Sequence, residues 1–371
     1  MITPPDITLG LSPEVKTGTQ SRKCGLDIVR TIACASVIGA HFFLFTDFNK
    51  SAFDSPEMFF QGMLSSITVG SDLYMMLTGF LCMNKTFGKN FYLSGVKVLA
   101  SYIFFSILTI ILGIYLFHNG MTWKSGILGI FSFSTIPYAW YIEMWIGLFL
   151  MAPFLNIWYK SLQNKRLKLY LILILFLLTA PPDFLNRYNM YLWPEFWKGI
   201  YPLMFYFIGC YVREYAPKFN RKVLGLLILA ILLVGPVFNS VISHPTYLHI
   251  IGGRSGIFIG PLAILIFLSF YNWNISNQYG KDIFKAISLR SLDIFLCSAT
   301  LDSLIYPWFR DHVFINQSQY LKWYFVIVPT IFIIAFGIAS VKRFIFYGAD
   351  KILEPFNLGF MLQNKGDKGI S

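Results

Sequence analysis

Apolar runs of membrane-spanning length, separated by short polar breaks, dominate the chain from Gly25 onward. The runs cover roughly 26–45, 62–83, 98–117, 138–156, 169–181, 199–212, 223–242, 256–272, 290–306 and 323–343. Most reach or approach the roughly 20 residues that a helix needs to cross a bilayer. The pattern predicts an all-α polytopic membrane protein of about ten transmembrane helices, without a large loop domain and without a clear internal repeat. Met1–Gln20 is polar and holds Pro4, Pro5, Gly10, Pro13 and Gly18, so residues 1–22 are expected to form a flexible tail. Residues 23–345 then form one membrane domain and 346–371 a second tail. Arg22 and Lys23 precede a first run too long for a signal-peptide core, which is read as a retained helix.

The positive charges give the spans a direction. Of the 30 Lys and Arg residues, 22 fall in segments on the side of the N-terminus, 7 in the alternate loops, and only Arg30 within a span. Positive residues accumulate in cytoplasmic loops, so both termini are expected in the cytoplasm. This accounts for the net charge of +12 as a topology signal, and no nucleic-acid partner is expected. Composition agrees: 56% of residues are hydrophobic, 18% aromatic and 13% charged, too apolar for a soluble fold of 371 residues. The five cysteines, Cys24, Cys34, Cys82, Cys210 and Cys297, contain no C-x-x-C pair, so neither a metal site nor a disulfide framework is expected. No G-x-x-x-x-G-K-[ST] signature is present to support ATP-driven transport.

An ionisable residue near the centre of a span costs about 2.5–3.5 kcal/mol on insertion. Those the chain retains are Asp27, Arg30, His41, Asp72, Glu143, Asp293 and Asp302. Arg30 and His41 are eleven residues apart, about 20° past three full helical turns, so they share one face of the first helix about 16 Å apart. Asp27, three residues before Arg30, is placed to pair with it. The plain reading of such a stripe is an interfacial ion pair and a helix–helix hydrogen bond. The functional reading is an inner cation and an outer imidazole, the side chain best suited to exchange a proton near neutral pH. His118, His244, His249 and His312 fall in outer loops and suit surface roles. Trp140, Tyr141, Trp145, Tyr188, Tyr191, Trp193 and Trp197 cluster near the outer interface, where anchoring aromatics are expected. Some of them are candidates for stacking on sugar rings, together with Asp183, Arg187 and Glu195 in the same region.

These residues resemble a known family. Gly25-Leu26-Asp27-Ile28-Val29-Arg30 through His41 is similar to the opening helix of the acyltransferase-3 membrane O-acyltransferases, which carry Asp-x-x-Arg followed by a His. Thr78-Gly79-Phe80-Leu81 resembles the family's Ser-Gly-Phe-Leu. Tyr138-Ala139-Trp140-Tyr141 through Pro153-Phe154-Leu155 resembles its Trp-Tyr-Leu…Pro helix, and Ser291-Leu292-Asp293-Ile294-Phe295-Leu296 its late Ser-x-x-Ile-Tyr-Leu segment. The resemblance implies ten spans and transfer of an acyl group, usually acetyl, from a cytoplasmic acyl-CoA donor to a hydroxyl of a cell-envelope glycan or lipid-linked sugar. It implies a location in the bacterial plasma membrane, with His41 as the catalytic residue, Arg30 as its partner and no permanently bound cofactor. Two positions depart from the pattern. Lys85 and Lys89 stand where the family often has Arg-x-x-Arg, offering phosphates point charges instead of bidentate forks. Ser298 stands where a late His is common.

Acyl transfer to a hydroxyl needs a base and a means of meeting the tetrahedral oxyanion. His41 is the expected base. A carboxylate on its other ring nitrogen would fix the tautomer; Glu143, at similar depth, is the first candidate and Asp302 the second. Arg30, Lys85 and Lys89 are candidates for holding the donor, with Asp27, Asp72 and Asp302 in support. A glycolipid transporter or flippase is the competing reading of the intramembrane charges. A glycan polymerase is disfavoured by the shortness of the outer loops.

Overall fold

The computed structural model describes residues 23–52, 54–116, 120–186, 192–242 and 256–353. The N-terminal tail, most of the C-terminal tail, His118, Arg187, Tyr188, Tyr191, His244, His249 and the Asp183 side chain lie outside the described residues. Of the described residues, 80% are helical and none is in a strand. The helices are α1 (Cys24–Phe45), α2 (Pro56–Ser65), α3 (Gly70–Cys82), α4 (Lys89–Tyr115), α5 (Trp123–Phe131), α6 (Trp140–Ser161) and α7 (Lys165–Thr179). They continue as α8 (Pro181–Leu185), α9 (Tyr201–Tyr215), α10 (Arg221–Ile242), α11 (Ile259–Phe270), α12 (Gln278–Ser288), α13 (Ser291–His312) and α14 (Leu321–Leu353).

Helix starts follow local chemistry. Asn164 and Asn277 accept backbone N–H groups at the starts of α7 and α12. Ser55 does the same for α2, with Pro56 in the first turn where its missing N–H costs nothing. Every expected span coincides with helix, but the second is not continuous. It breaks between α2 and α3, where Ser65 and Ser66 hydroxyls donate to the Gly62 carbonyl at 2.9 Å and Thr68 to the Ser65 carbonyl. A cluster of hydroxyls that satisfies backbone carbonyls in this way offers the chain an alternative to continued helix. The last helix runs past residue 345 into the segment read as tail.

Among the described helices, five are long and apolar enough to cross a bilayer: Cys24–Phe45, Lys89–Tyr115, Trp140–Ser161, Arg221–Phe238 and Gln317–Phe346. Over its apolar window α1 is 56% buried and α10 only 17%, which places α1 inside the bundle and α10 at its lipid-facing edge. α1 packs against α3, α11, α12, α13 and α14. The tightest packing joins α3 to α9. A Cβ on Gly79 would lie 1.9 Å from the Tyr206 carbonyl oxygen, and one on Gly209 2.0 Å from that of Met76. Small residues of this kind let helix backbones approach within a bilayer, where apolar burial alone gives no preference for another helix over lipid.

Two lysines assigned from sequence to cytoplasmic segments are engaged inside the bundle. Lys168, buried in the first turns of α7, donates to both carboxylate oxygens of Glu214 at 2.7 and 2.8 Å. Lys342 of α14 bonds Ser101 and Asp293, which accounts for the Asp293 carboxylate as half of an ion pair.

Candidate active site

The first helix delivers Arg30 and His41 to two separate cavities. The His41 side chain, 4% exposed, meets the fully buried Asp302 of α13, with Nδ1 2.6 Å from Oδ2. Where Asp302 is ionised it can only accept, and in that state Nδ1 carries the proton and Nε2 faces away as the base. Tyr138 stacks on the imidazole with ring centroids 4.2 Å apart and planes at 25°. Tyr138 also has a positive φ of 68°, a backbone conformation that non-glycine residues rarely adopt. Phe45 packs edge-on to Tyr138 and face-to-face with Tyr306, one helical turn beyond Asp302. The Tyr306 hydroxyl and Asp302 Oδ1 are buried without hydrogen-bond partners. Unmet polar atoms are uncommon in a folded interior, and two of them belong to the imidazole's carboxylate partner and the tyrosine one turn beyond it.

His41 lines a cavity of about 80 Å³ together with Val37, Ala40, Thr68, Ser71 and Trp140. Arg30 lines a larger one of about 350 Å³, walled by Thr78, Trp145, Phe149, Ser288 and Ser291. The half-buried Arg30 donates from Nη1 to Ser288 Oγ at 3.3 Å, and Trp145 Nε1 donates to Thr78 Oγ1 at 3.3 Å. The segments singled out from sequence thus converge: Arg30, Thr78, Tyr141, Ser291 and Phe295 all face the larger cavity.

Several expected placements change. Glu143 is not the imidazole's carboxylate partner; it is exposed and lines neither cavity. Its depth is similar, but the buried Tyr141 and Ile142 set the inward face of α6, and at 100° per residue Glu143 turns away from it. Trp140, Tyr141 and Trp145, expected among the outer anchors, line the cavities instead. Trp193 and Trp197 pack edge-on at 5.9 Å. Lys85 and Lys89 are exposed beside the larger cavity and are not part of its wall. Their loop is nevertheless fixed: Asn156 Nδ2 donates to the carbonyls of Cys82 and Lys85 at 2.7 and 2.8 Å, and Asn156 Oδ1 accepts from Tyr206 at 2.7 Å. Asp27 is buried, and its carbonyl accepts from Thr31. Asp72 is buried in the first turn of α3, where Ser71 donates to it and a carboxylate complements the helix N-terminus. Neither Asp27 nor Asp72 lines either of these two cavities. His312 is exposed and stacks on Trp308.

Tyr138 and Tyr306 were not singled out for the site from sequence. The only local signal for Tyr306 is its spacing of four residues after Asp302; the Tyr138 stack carries none.

The model of a family described as an acyltransferase domain, the acyltransferase-3 type, matches residues 25–340. No curated protein and no solved structure matches the chain.

Proposed function

The chain belongs to the acyltransferase-3 family of membrane acyltransferases, and on that premise we propose that it moves an acetyl group from cytoplasmic acetyl-CoA to a hydroxyl of a cell-envelope glycan or lipid-linked sugar. The observation that carries the reading is the buried His41–Asp302 pair beside one cavity, with Arg30 on the same helix lining another. The acceptor hydroxyl gives its proton to His41 Nε2 as its oxygen attacks the thioester carbonyl. Asp302 holds the ring and stabilises the imidazolium. The hydroxyls that line this cavity, Thr68 and Ser71, donate to the Ser65 carbonyl and to Asp72, so one of them must turn from that partner to meet the oxyanion. Collapse forms the ester C–O bond and breaks the C–S bond, and the departing thiolate takes the proton back from His41 to leave as free CoA.

Arg30 meets the negative charge of the donor at the inner mouth, and Lys85 and Lys89 on the neighbouring loop attract its phosphates as point charges. Ten crossings of a bacterial plasma membrane, with both termini in the cytoplasm, place donor and acceptor on opposite sides. A flippase would need a continuous substrate path and has no use for an oriented base, so the histidine–carboxylate pair favours chemistry.

The test is ester analysis of envelope glycans from strains carrying variants. His41→Ala abolishes the acetyl mark, and Asp302→Asn lowers its rate by about two to four orders of magnitude. Glu143→Gln leaves the mark in place. Normal acetylation in the accumulated, membrane-inserted His41→Ala protein would overturn the assignment. Loss of glycolipid translocation in that mutant would establish the flippase instead.

A further inference from the structure

The two cavities are separated by three side chains that line both: Tyr74 of α3, Tyr141 of α6 and Phe295 of α13. The Tyr74 and Tyr141 rings lie 5.8 Å apart between centroids, and Tyr141 meets Phe295 edge-on at 5.8 Å. These are ordinary aromatic contact distances, so the rings close against one another. The Tyr74 hydroxyl is buried between Cys34 and Ser291 without a hydrogen bond of good geometry to either, so that ring is held chiefly by packing. The Arg30 side of this septum holds about 350 Å³ and the His41 side about 80 Å³. A dry cavity of about 150 Å³ accepts benzene, close to 25 Å³ for each non-hydrogen atom. On that scale the larger space takes about fourteen such atoms, most but not all of a pantetheine arm, and the smaller about three, the number in an acetyl group.

We propose that Tyr74, Tyr141 and Phe295 form a movable septum through which the donor's acyl end passes, and that the small space behind it is an acyl-length filter. The proposal rests on the acyl-transfer reading above and adds its substrate limit. The donor's arm occupies the Arg30 cavity, the rings part, and only an acyl group of about two carbons fits beside His41. A four-carbon chain keeps its thioester carbonyl on the Arg30 side, out of reach of the base. Phe295 has no polar group to contribute, so its substitution changes the space at the septum and leaves the proton-transfer groups intact.

The experiment uses membranes from a strain without its own copy, carrying either the full-length wild type or a variant. They are supplied with isotopically labelled acetyl-, butyryl- or hexanoyl-CoA, and the glycan esters are read by mass. Wild type is expected to prefer acetyl over butyryl by at least about tenfold, the scale of discrimination set by methylene groups in an apolar pocket. Phe295→Ala brings the ratio below about threefold by admitting butyryl, a gain that misfolding cannot produce. Ala40→Val, which fills the small space from α1, slows acetyl transfer about tenfold or more with an unchanged KM for acetyl-CoA. Equal use of all donors by wild type overturns the filter. So does a Phe295→Ala protein that accumulates without gaining butyryl transfer. If that protein does not accumulate, an unaltered acetyl rate in Ala40→Val is the overturning result. Absence of labelled ester from every donor in wild type instead refutes the acyl-transfer reading itself.

Discussion

Tyr138 joins two facts in one residue: its backbone occupies the left-handed region, and its ring lies flat on His41. Such a backbone costs about 1–3 kcal/mol and persists where the surroundings over-determine it. Asp302 holds the imidazole in its plane through Nδ1, while Tyr138 limits tilt from one face. In the proposed reaction Tyr138 therefore acts as a positioning residue. Removing the ring lets the base drift, and a misplacement of 1 Å is worth about a hundredfold in rate. Tyr138→Ala is expected to lower kcat by about ten- to a hundredfold with KM for acetyl-CoA unchanged, because Tyr138 does not line the Arg30 cavity. Tyr138→Phe restores the rate, since the stack needs the ring and not the hydroxyl. Steady-state kinetics on the three proteins checks this; a Phe variant as slow as Ala would locate the effect elsewhere.

At the scale of elements, α7 and α9 are joined by a charge pair between a buried lysine and a partly exposed glutamate. The Lys168 side chain is 5% exposed and Glu214 28%, and Lys168 also lies over the Tyr159 ring at 4.6 Å. Removing one partner of such a pair strands the other in a medium that solvates it poorly, whereas replacing both with apolar groups is close to neutral. Glu214→Gln is expected to destabilise the protein by about 1–2 kcal/mol, between the scales of exposed and buried pairs. The double substitution Lys168→Met with Glu214→Leu recovers to within about 1 kcal/mol of wild type. Thermal melting in detergent measures both. A double variant as unstable as the single would show that the pair contributes more than mutual neutralisation. The same scale explains the split second span. The hydroxyls of Ser65, Ser66 and Thr68 are plain in the sequence, but an apolar run of the right length masks them in any hydropathy reading.

At the scale of the whole molecule, the proposed reaction connects two faces of a membrane. The charge count places Lys85 and Lys218 on the inner side and Lys124 and Lys198 on the outer. With the five free cysteines replaced, single cysteines at Lys85 and Lys218 are expected to react with an impermeant thiol reagent only in inside-out vesicles, and those at Lys124 and Lys198 only in intact cells. Labelling of Lys124→Cys and Lys198→Cys from opposite sides would break the ten-span arrangement. In the proposed reaction, the Arg30–His41 stripe of α1 is the line along which the donor reaches the acceptor.

The helical segments and the shared face of Arg30 and His41 were legible in the sequence, because hydropathy and 100° per residue are properties of one helix at a time. The motif segments were legible too, as an ordered set. The pairing of His41 was not. Glu143 and Asp302 have similar depths, and choosing between them requires knowing which way α6 and α13 turn toward α1. That rotation is set by packing, where Tyr141 and Ile142 take the inward face of α6 and leave Glu143 outside. The septum was equally out of reach, since Tyr74, Tyr141 and Phe295 come from three helices far apart in the chain. The sequence by itself determined the helices and the chemistry that α1 carries. Only the tertiary structure decided which carboxylate holds the imidazole and how much room lies beside it, because both depend on distances between helices that no local pattern encodes.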